Sequence, residues 1–170
     1  LDSDFGKFID AYCFKSKNLY NYANYIIRQE FITNNNWIRY NKLFEMVKDS
    51  ESYKEIGSNV GQGTLRMLDK AWKSFFEGMK DWSKNPSKYL GRPKLPRYRP
   101  KDGRYVLSLD SNKVKLKDGY VYFAWSPFKP FNNRFKTNAK ERILQCRLVP
   151  KGNHYTMEVV YEIEVPDCSD

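Results

Sequence analysis

The sequence holds little with which to do chemistry. Among 170 residues there is one histidine, His154, and three cysteines, Cys13, Cys146 and Cys168, with no C-x-x-C spacing. That inventory argues against a zinc site, and an odd number of scattered cysteines argues against a disulfide framework. Cys13 falls on a helix stripe and Cys146 shares a strand face with Leu144 and Leu148. Both are expected as small core residues of a cytoplasmic chain. No glycine-rich phosphate loop follows a strand, and no Ser, His and Asp stand at a spacing that suggests a triad. No apolar run approaches the roughly 20 residues of a membrane span, and no signal peptide is evident. Glu158, Glu162 and Glu164 share the polar face of one strand, where solvation is the simpler reading than a metal site. His154 is expected to end a turn. No catalytic residue, metal or cofactor is expected.

What is present is positive charge and aromatic surface. The formal net charge is +10, the apolar fraction 41% and the aromatic fraction 16%, which suits a folded core rather than disorder. The charge is uneven. Residues 1–83 are nearly balanced, with 12 Lys or Arg and 11 acids, whereas residues 84–170 carry 18 against 9. Residues 84–104 alone hold eight basic residues and one acid. Tyr89, Tyr98 and Tyr105 interleave with these cations and Pro86, Pro93, Pro96 and Pro100 stiffen the run. A solvated basic surface is the plain reading of any charge run, but this mixture suits phosphate contact with base or sugar stacking.

The first half reads as helices. Ser3 is placed to cap a long helix whose buried side is marked by Phe5, Phe8, Ile9, Tyr12, Leu19, Tyr20, Ala23, Ile26 and Ile27. Asn34-Asn35-Asn36 ends it. Asn41 is expected to cap a second helix with Leu43, Phe44 and Val47 inward, and Ser52 with Glu55 has capping-box spacing before Gly57. Ser58 is expected to cap a long amphipathic helix carrying Val60, Leu65, Leu68, Ala71, Trp72, Phe75, Met79 and Trp82, which Asn85-Pro86 terminates. The two long helices are expected to be antiparallel.

After Gly103 the period changes. Tyr105–Leu109, Val114–Lys117, Tyr120–Trp125, Arg142–Val149 and His154–Val165 read as strands, with Asp118-Gly119 a tight turn and Ser126–Thr137 an irregular crossing. The expected fold class is α+β: a helical domain over 1–85, a basic proline-rich strap over 86–103, and over 104–170 a small antiparallel β-barrel of the oligonucleotide-binding kind.

The stretch from Gln62 to Arg104 carries a resemblance. QGTLRMLDKAWKSFF followed by YLGRPKLPRYRPKDGR resembles the TnpB/OrfB proteins of insertion sequences, which have a glutamine, then L-x-x-L-D-K-x-[WFY]-K-x-F-F, then a G-x-P-x-x-P-[RK]-[YF] strap. KNLYNYANYIIRQEF upstream and CRLVPKGNHYTMEVVYEIEV downstream fit the same pattern. The resemblance implies a helical recognition domain and a wedge-type barrel that hold a guide RNA from the transposon end and read a short motif in double-stranded DNA beside the target. In that family the metal-dependent RuvC-like nuclease follows the last barrel strand and a first strand precedes the first helix. The expectation is therefore an amino-terminal, nuclease-free part with no membrane partner, in which an unpaired sheet edge would favour a homodimer.

Three positions carry over from the resemblance. Gln62 matches a family glutamine whose amide can read adenine, with an exposed first-turn glutamine as the plain alternative. Tyr40 matches a tyrosine near the DNA motif, with a core tyrosine as the alternative. Ser58 stands where some relatives have lysine. The chain departs from F-T-N at Leu109-Asp110-Ser111, where Asp110 would accept from a cytosine amino group. Phosphate contacts are expected from Arg92, Lys94, Arg97, Arg99, Lys101 and Arg104, extended by Lys136, Lys140, Arg142 and Arg147, with Tyr98 and Tyr105 stacking. The competing function is a stand-alone helix-turn-helix DNA binder, transposase-related or a repressor, that needs no RNA. A third is a structural RNA-binding protein whose strap threads between RNA helices.

Overall fold

The computed structural model describes residues 3–131 and 134–163. Cys168, Glu164 and Val165, named above, lie outside the described residues.

Helix α1 runs Asp4–Asn34, and the Ser3 hydroxyl accepts the Gly6 amide at 3.1 Å as the N-cap. Asn35 ends the helix in the left-handed region at φ 49°. Helix α2 is Tyr40–Val47, α3 Glu51–Ile56 and α4 Ser58–Lys84. Three expected caps move. The Asp69 carboxylate, reaching across from α4, accepts the Tyr40 amide at 3.0 Å and so does the work expected of Asn41. Ser50, not Ser52, caps α3 by accepting from the Tyr53 amide. Gly57 takes the cap position of α4 at φ 82°, a conformation that Ser58 would resist, and Ser58 becomes the first helical residue.

The long helices are parallel rather than antiparallel. Ser16 meets Thr64 at 3.0 Å, Asn24 meets Trp72 at 2.9 Å, and Phe31 packs on Phe76 at 5.3 Å, so positions rise together along both. The cause is the link: α2 and α3 carry the chain back along α1 before α4 begins. A bundle of two helices and a short loop would have reversed direction; this one does not.

Six short strands follow: β1 Leu107–Asp110, β2 Val114–Lys117, β3 Tyr120–Phe123, β4 Arg134–Lys136, β5 Ile143–Lys151 and β6 His154–Tyr161. They form two antiparallel three-stranded sheets, β1-β5-β6 and β2-β3-β4. The class is α+β, as expected, but the described residues form no closed barrel. After β1 the chain turns at once, the Lys113 amide donating to the Asp110 carbonyl at 3.0 Å, and β2 pairs with β3 instead of with β1. The ladder that would close a barrel therefore does not form. Asp118 and Gly119 make the β2–β3 turn with φ 52° and 74°, as the Asp-Gly pair requires. Strand β4 lies in the segment expected to be irregular; three residues, Arg-Phe-Lys, give too short an alternation to read. Leu144 is a further correction. A register irregularity between Ile143 and Gln145 turns Leu144 outward, 42% exposed, so Cys146 and Leu148 share the core with Ile143 instead.

One cluster of buried hydrophobic residues runs from Ile9 through Trp72 to Leu148 and joins helices to sheets. At Gly63 a Cβ would lie 2.9 Å from the Ser108 carbonyl oxygen, so glycine lets β1 approach α4 closely. Among the described residues no helix is long and apolar enough to cross a membrane.

Candidate nucleic-acid interface

The basic strap is held by its backbone. After α4 a single 3-10 turn, Pro86–Lys88, leads into an extended run that returns antiparallel along α1. Four polar residues of α1, spaced four, three and four apart, grip it. Lys17 Nζ donates to the Lys101 carbonyl at 2.6 Å, and Asn21 both donates to the Arg99 carbonyl at 2.9 Å and accepts the Arg99 amide at 2.8 Å. Asn24 and Arg28 both donate to the Pro96 carbonyl at 3.0 Å. The Tyr105 amide then donates to the Cys13 carbonyl at the end where the strap enters β1. A proline-rich segment has few amides of its own, so side chains that read its carbonyls suit it.

With its backbone engaged, the strap projects its side chains. Lys94, Arg97, Arg99 and Lys101 are exposed, and no ion pair involves them among the described residues. Arg92 is exposed and lies over Trp82. Tyr98 is 44% exposed with the Arg28 guanidinium 4.9 Å from its ring centre. Tyr105 is more committed: its ring meets Tyr20 at 4.5 Å, and Arg99 lies over both rings. Burial raises the hydroxyl pKa of both tyrosines.

Arg104 is a tie. Its guanidinium grips Asp10 with two bonds at 2.9 and 2.6 Å, and the Tyr155 hydroxyl donates to the same carboxylate at 2.5 Å. The Arg104 hydrogen bond, against the cost of burial, holds the Asp10 carboxyl below its usual range. Helix, strap and β6 are thereby joined at one carboxylate. Arg147 pairs with Glu158 across β5–β6 at 2.8 Å, which also accounts for one of the glutamates considered for a metal. Lys136, Lys140 and Arg142 are exposed at the sheet ends. Cys13 and Cys146 are buried thiols, each pushed up to about 12 chiefly by burial. His154 is exposed at the β5–β6 turn. The described residues contain no group of His, Cys, Asp and Glu able to hold a metal ion.

Tyr40, Ser58, Gln62 and Asp110 come from three separate segments and are linked on the surface at the start of α4. The Gln62 amide nitrogen donates to the Ser58 hydroxyl at 3.1 Å, and its oxygen accepts from Arg66 at 3.3 Å. Arg66 in turn lies 5.3 Å from the centre of the Tyr40 ring. Asn59, beside Ser58, donates to Asp110 at 2.8 Å, and the other Asp110 oxygen accepts the Asn112 amide at 3.1 Å. A cleft of about 210 Å³ opens here, lined by Asn59, Arg66, Lys70, Ser108, Asp110 and Gln145 among others. The Asn59 side-chain oxygen is buried without a partner. To read a base edge, Gln62 would exchange Ser58 and Arg66 for the base.

Arg66, Asn59 and the strap-gripping face of α1 were not found from sequence. The spacing of Lys17, Asn21, Asn24 and Arg28 is a helical stripe and was legible as such; what covers it was not. No protein-family model matches the chain, and no curated protein matches it in sequence.

Proposed function

We propose that the chain is a nucleic-acid-binding platform of the TnpB-like kind. In this reading the strap and the sheet-end cations hold a guide RNA, and the Tyr40–Ser58–Gln62–Asp110 surface meets a short motif in duplex DNA. The two sheets take the part of the wedge, and the chain needs no catalysis of its own for this role. The observation that carries the proposal is the strap. Its backbone is pinned to α1 by Lys17, Asn21, Asn24 and Arg28 while Lys94, Arg97 and Lys101 stand exposed, with no acidic partner among the described residues. Cations on a pre-ordered backbone lose little entropy when they meet phosphates, and phosphate contact sets the salt dependence of binding. The linked surface at the start of α4 supports the second part, because a long helix directs its positive end toward the same surface.

Binding of the chain to structured RNA and to duplex DNA, measured across a salt series, tests the proposal. Replacing Arg97 and Arg99 together by glutamine should flatten the slope of log affinity against log salt by roughly one per residue. An unchanged slope removes the strap from the interface. Sequence-selective binding to duplex DNA with no affinity for structured RNA would favour the stand-alone DNA binder.

A further inference from the structure

We propose that the open face of β2-β3-β4 is a separate binding site for an unpaired RNA strand, with Tyr120 and Tyr122 as its stacking platform. The proposal deepens the RNA-holding part of the function above and rests on it. Apart from Lys136, the site itself stands on different residues.

Alternation divides this sheet sharply. Val114, Leu116, Val121, Phe123 and Phe135 face the core. Lys115, Lys117, Tyr120, Tyr122, Arg134 and Lys136 occupy the opposite face, because side chains at i and i+2 point the same way and register partners share a side. The pairing builds two rows across the sheet. Lys115 stands opposite Tyr122 and Tyr122 opposite Arg134; Lys117 stands opposite Tyr120 and Tyr120 opposite Lys136. Each row is therefore a tyrosine with a cation on either side. Tyr122 is half-buried and the other five are exposed, with no acid among the six. Arg134 lies 4.8 Å from the centre of the Tyr120 ring, and a shallow hollow of about 330 Å³ opens between Lys117, Asp118, Tyr122 and Arg134.

A merely solvated sheet face has no need of two adjacent rings at its centre. Four cations call for a polyanion, and rings between them call for one whose bases are free to leave their own stack. In a duplex the bases are stacked inside, so the tyrosines would meet only backbone. An unpaired strand satisfies both demands, with phosphates along the flanking cations and bases over the rings. Unpaired bases are ordinary in RNA loops and ends, whereas DNA must first be opened to present them. The occupant is therefore single-stranded RNA.

The test is photo-crosslinking of the whole chain to an RNA oligonucleotide carrying 5-iodouracil, beside a DNA strand of the same sequence and an RNA duplex, with the crosslinked residues mapped by mass spectrometry. Crosslinks from the RNA strand to Tyr120 or Tyr122 are expected. Tyr122→Ala should weaken binding of the same RNA about 5- to 150-fold, with Tyr122→Phe keeping most of the affinity because the ring remains. Both substitutions lie on the solvent side, and an unchanged melting temperature separates lost binding from lost folding. RNA crosslinks confined to Tyr98 and the strap would overturn this site and leave the proposed function standing. Crosslinks at these tyrosines from the DNA strand or the duplex alone would overturn it as well. No RNA binding anywhere would overturn both.

Discussion

Two polar, cation-bearing faces of this molecule end in opposite states. The stripe Lys17, Asn21, Asn24 and Arg28 on α1 is covered by the chain's own strap, whereas Lys115, Lys117, Tyr120, Tyr122, Arg134 and Lys136 on β2-β3-β4 stay open. The difference lies in what each can bond. Three of the four α1 residues donate to strap carbonyls only, and Asn21 exchanges a donor and an acceptor with Arg99, so the stripe matches an extended backbone. The sheet face has no side-chain amide to give and take with an extended backbone, and sets its cations around two rings instead. Polar periodicity marks a face; donors, acceptors and rings decide what lies against it.

The comparison breaks most severely at Asn24. Its side chain is fully buried, donating to Pro96 and accepting from Trp72. Asn24→Ala strands the Trp72 indole N–H in the interior and leaves the Pro96 carbonyl to Arg28 alone, and should cost about 3 kcal/mol. Urea unfolding measures that cost, and limited trypsin digestion should show the strap cut sooner after Arg97 and Lys101, Arg99 being shielded by Pro100. The bonds of Asn21 to the strap are exposed, and Asn21→Ala in the same assay should cost about 1 kcal/mol or less. Equal losses at the two positions would mean that burial does not grade the grip.

Next in size is the tie at Asp10. Asp10→Asn weakens two charge-assisted bonds from Arg104 and should cost about 2 kcal/mol at neutral pH. The folded pKa of Asp10 is lowered, so this stability is present above the unfolded value of about 3.9 and is lost as pH falls through the folded pKa. A urea series across the acid range should therefore show the parent losing more stability on acidification than the variant. Parallel curves would remove Asp10 from the account.

Much of this was legible in the residues. Ser3, the Asn34-Asn35-Asn36 stop, Gly57, Asp118-Gly119 and the switch of period after Gly103 place the elements within a few residues, because each acts through local backbone geometry. The misses are non-local. Asp69 caps α2 from another helix, and Leu144 turns outward where β5 carries one residue more than β6 in their pairing. The parallel course of α1 and α4 depends on how α2 and α3 pack, which no period within either helix encodes. The cations of the second half were visible as charge, yet Arg104 and Arg147 find carboxylates 94 and 11 positions away, Asp10 and Glu158. Charge density in a sequence counts cations; only the fold says which are already neutralised.

The smallest expected change in stability is on the open face, and it is the one that sharpens the comparison. Lys115→Gln with Lys117→Gln removes two cations from an edge strand where no carboxylate pairs with them among the described residues. Exposed substitutions away from caps and cores usually fall within about 0.5 kcal/mol. Here the sign should lean toward stabilisation, since the chain carries a net charge of +10 and loses self-repulsion. RNA affinity at low salt should fall all the same, and the salt slope should shrink by roughly two. Stability and binding would then move in opposite directions, which is the behaviour of a surface kept basic for a partner. If the double variant instead lost more than about 1 kcal/mol, the lysines would be holding β2 to β3 through Tyr120 and Tyr122. The face would then be spoken for by the fold, as the stripe on α1 is, and the contrast between them would disappear.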